Sequence, residues 1–133
     1  MTGNTPPEDY PRLSPYLYYE DLEAALIWLN NAFGMVERMR MVGPSGDVAH
    51  AEMTFYESVI MMGAPGAGYR NPGKLGQTTQ SLYIYVEDAD ALCERARGAG
   101  AKIIEEPADQ HYGDRRCGIS DPEGHVWYFA TRL

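Results

Sequence analysis

Positive charge, cysteine and long hydrophobic runs are all scarce in this sequence. Its 133 residues contain 11 Lys and Arg against 19 Asp and Glu, so the net charge is −8 and the pI is about 4.7. Nucleic acids and anionic membranes are bound by basic surfaces, and we therefore expect neither as a partner. No apolar run reaches the roughly 18 residues of a membrane span, and the proline-rich start lacks a signal-peptide core. We expect a cytoplasmic protein.

The cysteine content excludes several kinds of site. Cys93 falls in a helical pattern and Cys117 in a strand pattern, with no spacing typical of a zinc knuckle or a redox pair. Both are expected to be small buried hydrophobic residues. The sequence also has no motif for a serine or cysteine nucleophile, and no glycine-rich loop has the spacing of a phosphate site.

A repeat is the most informative feature that the sequence does contain. Residues 14–21 are SPYLYYED and residues 81–88 are SLYIYVED, which agree at five of eight positions. Side-chain character alternates along both copies, and a period of two is typical of a strand. The alternation places four tyrosines on one side of two equivalent strands: Tyr16, Tyr18, Tyr83 and Tyr85.

The same order of elements follows each copy of the repeat. Each strand ends at an acidic residue that can cap a helix, Asp21 in the first copy and Asp88 in the second. The first unit is predicted to form a strand, a helix ended by Gly34 and three strands, at residues 13–19, 21–33, 36–42, 48–55 and 58–62. The second repeats this order at residues 80–86, 88–99, 102–106 (closed by Pro107), 115–120 and 126–131. The sequence therefore predicts two β-α-β-β-β units in tandem.

Proline and glycine set the boundaries of these units. Residues 1–12 are polar and rich in proline, and we predict a flexible N-terminal arm. Residues 64–79 contain four glycines and two prolines, a composition typical of a linker. Residues 13–133 are expected to form a single domain, with unit one at 13–63 and unit two at 80–133.

Two short motifs in the second unit carry a family resemblance. They are YGDR at residues 112–115 and DPEGHVW at residues 121–127. With the repeat and the order of elements, these motifs resemble the vicinal oxygen chelate superfamily. This superfamily includes glyoxalase I, extradiol dioxygenases, fosfomycin-modifying enzymes and bleomycin-resistance proteins. The resemblance covers nearly all of the chain after residue 12. The resemblance implies an α+β fold in which the two units form a curled mixed sheet around a cleft, with helices on the outer face. In this superfamily the halves are often exchanged between the chains of a dimer. We expect a homodimer here, because the glycine- and proline-rich linker joins two units that each leave a strand edge to be covered.

The resemblance further implies a divalent metal in members that are enzymes, held by one residue on the first and fourth strand of each unit. These positions fall here at Ser14, Met61, Ser81 and Tyr128. Hydroxyl, thioether and phenol groups are poor ligands for such a cation, which prefers imidazole and carboxylate. We therefore expect neither a metal nor another cofactor.

Two polar residues on the third strand of the first unit are the candidate catalytic residues. His50 and Glu52 lie two positions apart and so share one face, as a general base and its orienting partner would. The alternative is a hydrogen-bonded polar pair on a half-buried sheet. His111 and His125 adjoin turns and are expected at the surface.

The same alternation predicts an aromatic cleft; the alternative is that the tyrosines are present only because aromatic residues form strands well. Tyrosine offers a flat apolar ring, a hydroxyl group that orients a ligand and a face that attracts cations. The expected ligand-binding residues are Tyr16, Tyr18, His50, Glu52, Met61, Tyr83, Tyr85 and Tyr128. Asp114 and Arg115 could reach a ligand from the rim of this cleft. The favoured alternative is that Gly113 and Asp114 form the turn into the strand and that Arg115 pairs locally with an acid.

Three hypotheses on function follow from the residues and the resemblance. The first is a metal-free protein that sequesters a planar or cationic organic compound, as bleomycin-resistance proteins do. The second is a metal-independent enzyme in which His50 or Glu52 moves a proton. The third is a metal-dependent lyase or dioxygenase, which the residues at the ligand positions argue against. The sequence favours the first and does not identify the compound.

Overall fold

The structure is a computed structural model that describes residue 3 and residues 5–133. The described residues form eight strands and three helices. The strands are β1 (Tyr16–Tyr18), β2 (Val36–Val42), β3 (Val48–Phe55), β4 (Ser58–Gly63), β5 (Ser81–Tyr85), β6 (Lys102–Asp109), β7 (Asp114–Ser120) and β8 (Val126–Arg132). The helices are α1 (Leu22–Phe33), α2 (Pro72–Leu75) and α3 (Ala89–Gly98). None of the described helices is long and apolar enough to cross a membrane.

The chain divides into two compact units. The first comprises the described residues up to Asn30 together with Gly34–Ala67, and the second comprises Asn31–Phe33 together with Gly68–Leu133. The change from one unit to the other after Ala67 falls inside the segment predicted as a linker.

Each unit contains one four-stranded mixed sheet, and the two sheets have the same topology. The strand order is β1-β4-β3-β2 in the first unit and β5-β8-β7-β6 in the second. The pairs β1–β4 and β5–β8 are parallel, with Tyr16 opposite Met61 and Tyr83 opposite Tyr128. The other pairs are antiparallel. The predicted α+β fold with tandem β-α-β-β-β units is therefore confirmed.

The helix boundaries follow the predicted capping residues. Asp21 and Asp88 each accept a hydrogen bond of 3.0 Å from a backbone N–H three residues later, the arrangement of an N-cap. Gly34 ends α1 with a φ of 81°, a left-handed conformation that glycine adopts without steric cost.

The buried face of the second sheet carries large aromatic side chains. Trp127 and Phe129 are fully buried, and the ring of Phe33, which belongs to this unit, lies 4.6 Å from that of Phe129. Helix α3 packs against β6, β7 and β8. Cys93 and Cys117 are free and buried as expected, and burial raises the pKa of the Cys117 thiol to about 12. Both cysteines therefore act as hydrophobic core residues.

Two predicted strands have boundaries that were wrong by more than one residue. Strand β6 continues through Pro107 to Asp109, because it lies at the sheet edge and its register shifts around this proline, where a missing N–H costs no ladder bond. Strand β1 begins only after Pro15, which has no N–H to donate. The predicted linker contains the short helix α2, whose N-cap is Asn71.

Gly118 on β7 is required by the packing of its neighbours. A methyl group at this position would lie 2.9 Å from Tyr128 Cε1 and 3.1 Å from Ile104 Cγ1. We expect Gly118→Ala to lower the free energy of unfolding by about 1–3 kcal/mol, the usual cost of overpacking. Chemical denaturation of both proteins measures this difference. The control is Gly98→Ala in α3, where an added methyl group would contact no other part of the protein within 4 Å. This substitution should be neutral or stabilising. Equal effects of the two substitutions would contradict the prediction.

Candidate functional site

Five of the predicted binding residues lie together on one face of the first sheet. Tyr16 pairs with Met61, which pairs with Glu52 on the next strand, and directly opposed residues share a face. Tyr18 and His50 are both opposite Gly63 and so lie on this face too. The rings of Tyr16 and Tyr18 are exposed, with their centroids 5.5 Å apart. We call this set the first tyrosine face.

A chain of hydrogen bonds connects three of these side chains. Tyr16 Oη lies 2.7 Å from His50 Nδ1, and His50 Nε2 lies 2.9 Å from Glu52 Oε2. An imidazole that carries its proton on Nε2 satisfies both bonds, accepting from Tyr16 and donating to Glu52. Burial, followed by the neighbouring Tyr18 and Glu52, raises the pKa of Tyr16, so its hydroxyl group stays protonated at neutral pH. His50 and Glu52 are thus hydrogen-bonded to each other, and a catalytic role for them stays a prediction.

Glu52 is the buried anion of the first tyrosine face. The residue is only 5% exposed, and its Oε1 accepts a hydrogen bond of 2.7 Å from Tyr10 and lies 3.3 Å from Arg38 Nε. Burial acts to raise the pKa of Glu52, but hydrogen bonds from His50 and Tyr10 and the charge of Arg38 outweigh it and hold the pKa below its ordinary value. The carboxylate is therefore ionised, and Arg38 compensates its charge.

A cavity of about 490 Å³ adjoins this carboxylate. Residues before β1 form most of its wall, and three of them are prolines. The lining residues are Pro6, Pro7, Tyr10, Pro11, Arg12, Ser14, Glu52 and Met61. The segment predicted as an arm thus lines a cavity of the first unit. Its flexibility stays a prediction.

The second sheet carries a corresponding set of side chains, the second tyrosine face: Tyr83, Tyr85, Asp114, Arg116 and Tyr128. Tyr83 and Tyr85 both donate to Asp114 Oδ2, at 2.7 and 2.8 Å, and Arg132 donates to Asp114 Oδ1 at 3.0 Å. Asp114 is 1% exposed. Burial acts to raise the pKa of Asp114, but the three hydrogen bonds outweigh it and lower the pKa.

The expectation that Asp114 lies in a turn was therefore wrong. It is the first residue of β7, and its pairing with Arg132 of β8 directs the carboxylate toward the tyrosines. One signal was available in the sequence, because two neighbouring tyrosine hydroxyls on one face need an acceptor. Arg115 does form the expected local ion pairs, with Asp90 and Asp109.

Arg116 is a second residue of this face that the sequence patterns did not predict. Its guanidinium lies 4.7 Å from the centroid of the Tyr128 ring, and Nε and Nη2 donate to the two oxygens of Glu105 at 2.8 and 3.1 Å. Its Nη1 donates to Tyr112 Oη at 3.0 Å, which lies 3.1 Å from Tyr83 Oη. The hydroxyl groups and charges of this face thus form one network.

The other two histidines have different surroundings. His111 is exposed as expected. The expectation for His125 was wrong, since it is only 7% exposed. Asp121 Oδ1 accepts from the backbone N–H of His125, and Asp121 Oδ2 accepts from the indole of the buried Trp127. These two bonds hold the turn against the buried Trp127, so His125 is buried as well.

The residues at the metal-ligand positions of the resembled family do not fit a divalent cation. Ser14, Met61, Ser81 and Tyr128 supply no imidazole or carboxylate. Among residue 3 and residues 5–133, no group of three His, Cys, Asp or Glu side chains is placed to hold a metal ion. No chemical step is therefore assigned to a metal.

Comparison with known proteins agrees with this fold. The chain belongs to the glyoxalase/bleomycin resistance protein/dioxygenase superfamily, whose sequence model matches residues 12–129. An uncharacterised protein of Mycobacterium bovis is 34% identical over 122 residues, which cover 88% of this chain and 80% of that protein. The crystal structure of TioX from Micromonospora sp. ML1 has a TM-score of 0.77 at 28% identity, covering 92% of this chain and 99% of TioX. The fosfomycin resistance protein FosX from Listeria monocytogenes shares the fold alone, with a TM-score of 0.70 at 14% identity over 91% of this chain and 93% of FosX.

Asp114 should make stability depend on pH. Its pKa is lower in the folded than in the unfolded protein, so its stabilising contribution is present above the unfolded pKa of about 3.9 and is lost as the pH falls through the folded value. Asp114→Asn removes this contribution and places an amide N–H₂ against either the tyrosine hydroxyls or Arg132. We expect the variant to be less stable at pH 7 and to approach the wild type below about pH 4. Urea denaturation across this range measures the difference.

The control is Asp109→Asn, which removes an exposed ion pair with Arg115. Exposed pairs contribute at most about 1 kcal/mol, so this variant should be close to the wild type at every pH. A difference between Asp114→Asn and the wild type that stayed constant with pH would contradict the assignment.

Proposed function

We propose that the protein is a metal-free cytoplasmic binding protein that sequesters a planar or cationic organic compound, such as an antibiotic, on its tyrosine faces. The main support is that the hydroxyl groups are fixed while the rings stay accessible. Tyr83 and Tyr85 are 40% and 57% exposed, yet both donate to a carboxylate that is almost fully buried. Rings that are already ordered lose less conformational entropy when a ligand binds.

The chemistry of these faces defines the class of ligand. Ring faces attract flat apolar groups and cations, and the net charge of −8 favours the approach of a cation. The carboxylate of Glu52 already faces Arg38, so attraction of a cation depends on the rings and the balance of this pair rather than on a free anion.

A metal-independent enzyme is the second candidate, because of the hydrogen-bonded chain from Tyr16 through His50 to Glu52. Such a chain can move a proton to or from a bound compound. It ranks second because both nitrogens of His50 and both oxygens of Glu52 are already engaged within the protein. Recovery of a bound compound in unchanged form would favour sequestration, and formation of a product would favour the enzyme.

The aromatic contact of Tyr83 provides the first test. A thermal-shift screen of aromatic cations, aromatic metabolites and glycopeptides identifies a ligand, and calorimetry then gives its dissociation constant. We expect Tyr83→Ala to weaken binding about tenfold or more, because both ring contact and buried apolar area are lost. Tyr83→Phe keeps the ring and should lose less. Ile27→Ala, at an exposed position of α1, is the control and should bind as the wild type does.

Glu52→Gln tests the preference for cations. The substitution leaves the Arg38 charge without its carboxylate partner, so a cationic ligand should lose more affinity than a neutral one of similar shape. Added salt should reproduce part of this loss where the site is open to solvent. If neither Tyr83→Ala nor Glu52→Gln changes the affinity of an identified ligand, the compound binds elsewhere.

We also propose a homodimer. In the described part of the chain each sheet has two edge strands, and edge strand β2 exposes Val36, Met41 and Val42. Exposed apolar edge strands are usually covered by another chain or element. Sedimentation velocity over a range of micromolar concentrations should show a dimer, and Val42→Asp should shift the equilibrium toward monomer. A monomer at every concentration would contradict the proposal.

A further inference from the structure

The first unit contains a phenol that is bound by its own sheet. The hydroxyl group of Tyr10 donates to Glu52 Oε1 at 2.7 Å, and the Arg38 guanidinium lies 4.2 Å from the centroid of the Tyr10 ring. Arg38 also donates to the backbone carbonyl of Asp9 at 3.3 Å. We call Arg38 and Glu52 the phenol cradle, because one contacts the ring face and the other accepts the hydroxyl proton.

The cradle is built by the sheet and not by the segment that occupies it. Glu52 lies opposite Met39, next to Arg38, and is held from its other oxygen by His50 at 2.9 Å. Arg38 is held by its ion pair with Glu52. Tyr10, by contrast, lies in a segment outside any helix or strand, next to a turn in which its N–H donates to Pro7. When Tyr10 leaves, Glu52 therefore keeps His50 and Arg38 as partners, and Arg38 keeps Glu52.

We propose that the phenol cradle recognises an aromatic hydroxyl group of the ligand, and that Tyr10 occupies it as an internal competitor until the ligand binds. The adjoining cavity of about 490 Å³ is large enough for the rest of a small organic molecule. This inference rests on the proposed binding function and adds to it the chemical class of the compound, a neutral phenol attached to a larger ring system.

The charge of the cradle defines which aromatic groups it accepts. The ionised Glu52 can accept a hydrogen bond but cannot donate one, so the ligand must bring a donor, and a phenol O–H reproduces the donor that Tyr10 supplies. A phenolate would be repelled by the carboxylate, and an aryl ether or hydrocarbon would leave Oε1 without its short bond. A guanidinium over the ring favours an electron-rich aromatic system.

Competition by Tyr10 predicts a specific change in affinity. An apparent dissociation constant equals the intrinsic one divided by the fraction of open sites, so a cradle that is about 90% occupied by Tyr10 weakens an added phenol about tenfold. A tethered group competes at an effective concentration in the millimolar range, so small soluble phenols can displace it.

The experiment titrates 4-methylphenol into wild-type protein and Tyr10→Ala and follows the amide and imidazole NMR signals of β2 and β3. We expect the variant to bind 4-methylphenol about tenfold more tightly, with the largest shifts at Arg38, His50 and Glu52. Toluene, which lacks the hydroxyl group, should bind Tyr10→Ala several-fold more weakly than 4-methylphenol does, because it cannot donate to Glu52. Tyr10→Phe keeps the ring on Arg38 but not the O–H, and should fall between the two proteins.

A second substitution distinguishes specific binding by the cradle from a general gain in affinity caused by a larger cavity. Glu52→Gln in the Tyr10→Ala background keeps an acceptor without charge and should lose several-fold in affinity for 4-methylphenol but not for toluene. The thermal midpoint of each variant shows that it is folded.

Several results would overturn the inference. They are equal affinity of the wild type and Tyr10→Ala for 4-methylphenol, equal affinity of Tyr10→Ala for 4-methylphenol and toluene, absence of binding to either protein, or shifts confined to the second unit. Failure of the proposed function is a separate result, because it is read from a screened compound and Tyr83→Ala in the second unit. The cradle can bind a phenol when that test fails, and can fail to do so when that test succeeds.

Discussion

The hydrogen bonds that join tyrosine hydroxyls to acidic groups determine the arrangement of both faces. A tyrosine side chain on a strand can turn toward solvent, but Asp114 holds Tyr83 and Tyr85 by the same oxygen. The cost of burying that carboxylate is offset by three charge-assisted hydrogen bonds, which are stronger than neutral ones. The rings are consequently fixed at their polar ends and present their faces. Because their hydroxyl groups are held by hydrogen bonds, these exposed aromatic residues form an ordered surface.

In both units a tyrosine hydroxyl group is connected to an acidic side chain, but the connection differs between the units. Strand order and register place Met61 in the first unit where Tyr128 stands in the second, since each is opposite the first tyrosine of its parallel pair. The hydroxyl of Tyr16 reaches its acid through the imidazole of His50, whereas that of Tyr83 reaches Asp114 directly. The repeated tyrosines are therefore shared, while their acceptors differ.

Local patterns in the sequence were sufficient for the strands, the helix caps and the shared face of the tyrosines, because alternation and capping depend on neighbouring residues. They could not show that Asp114 meets Tyr83, because that contact depends on the register of β7, β8 and β5. Nor could they place Tyr10, since the segment around it has no periodicity. His125 was misplaced for a related reason: the bonds of Asp121 turn an apparently exposed motif inward. Long-range pairing decides these cases.

The family resemblance raises the question of which side chains occupy the region in which related enzymes hold a metal. Three buried or half-buried acids on or beside the two faces each form an ion pair with an arginine: Glu52 with Arg38, Glu105 with Arg116 and Asp114 with Arg132. A divalent cation would have to displace these guanidinium groups and would find no imidazole or carboxylate at the family's own ligand positions. Aromatic rings are compatible with the same arginines, as Arg116 over Tyr128 and Arg38 over Tyr10 show. Two of these three arginines therefore contact aromatic rings of the protein itself, and the proposal that the faces bind aromatic compounds rests on this arrangement.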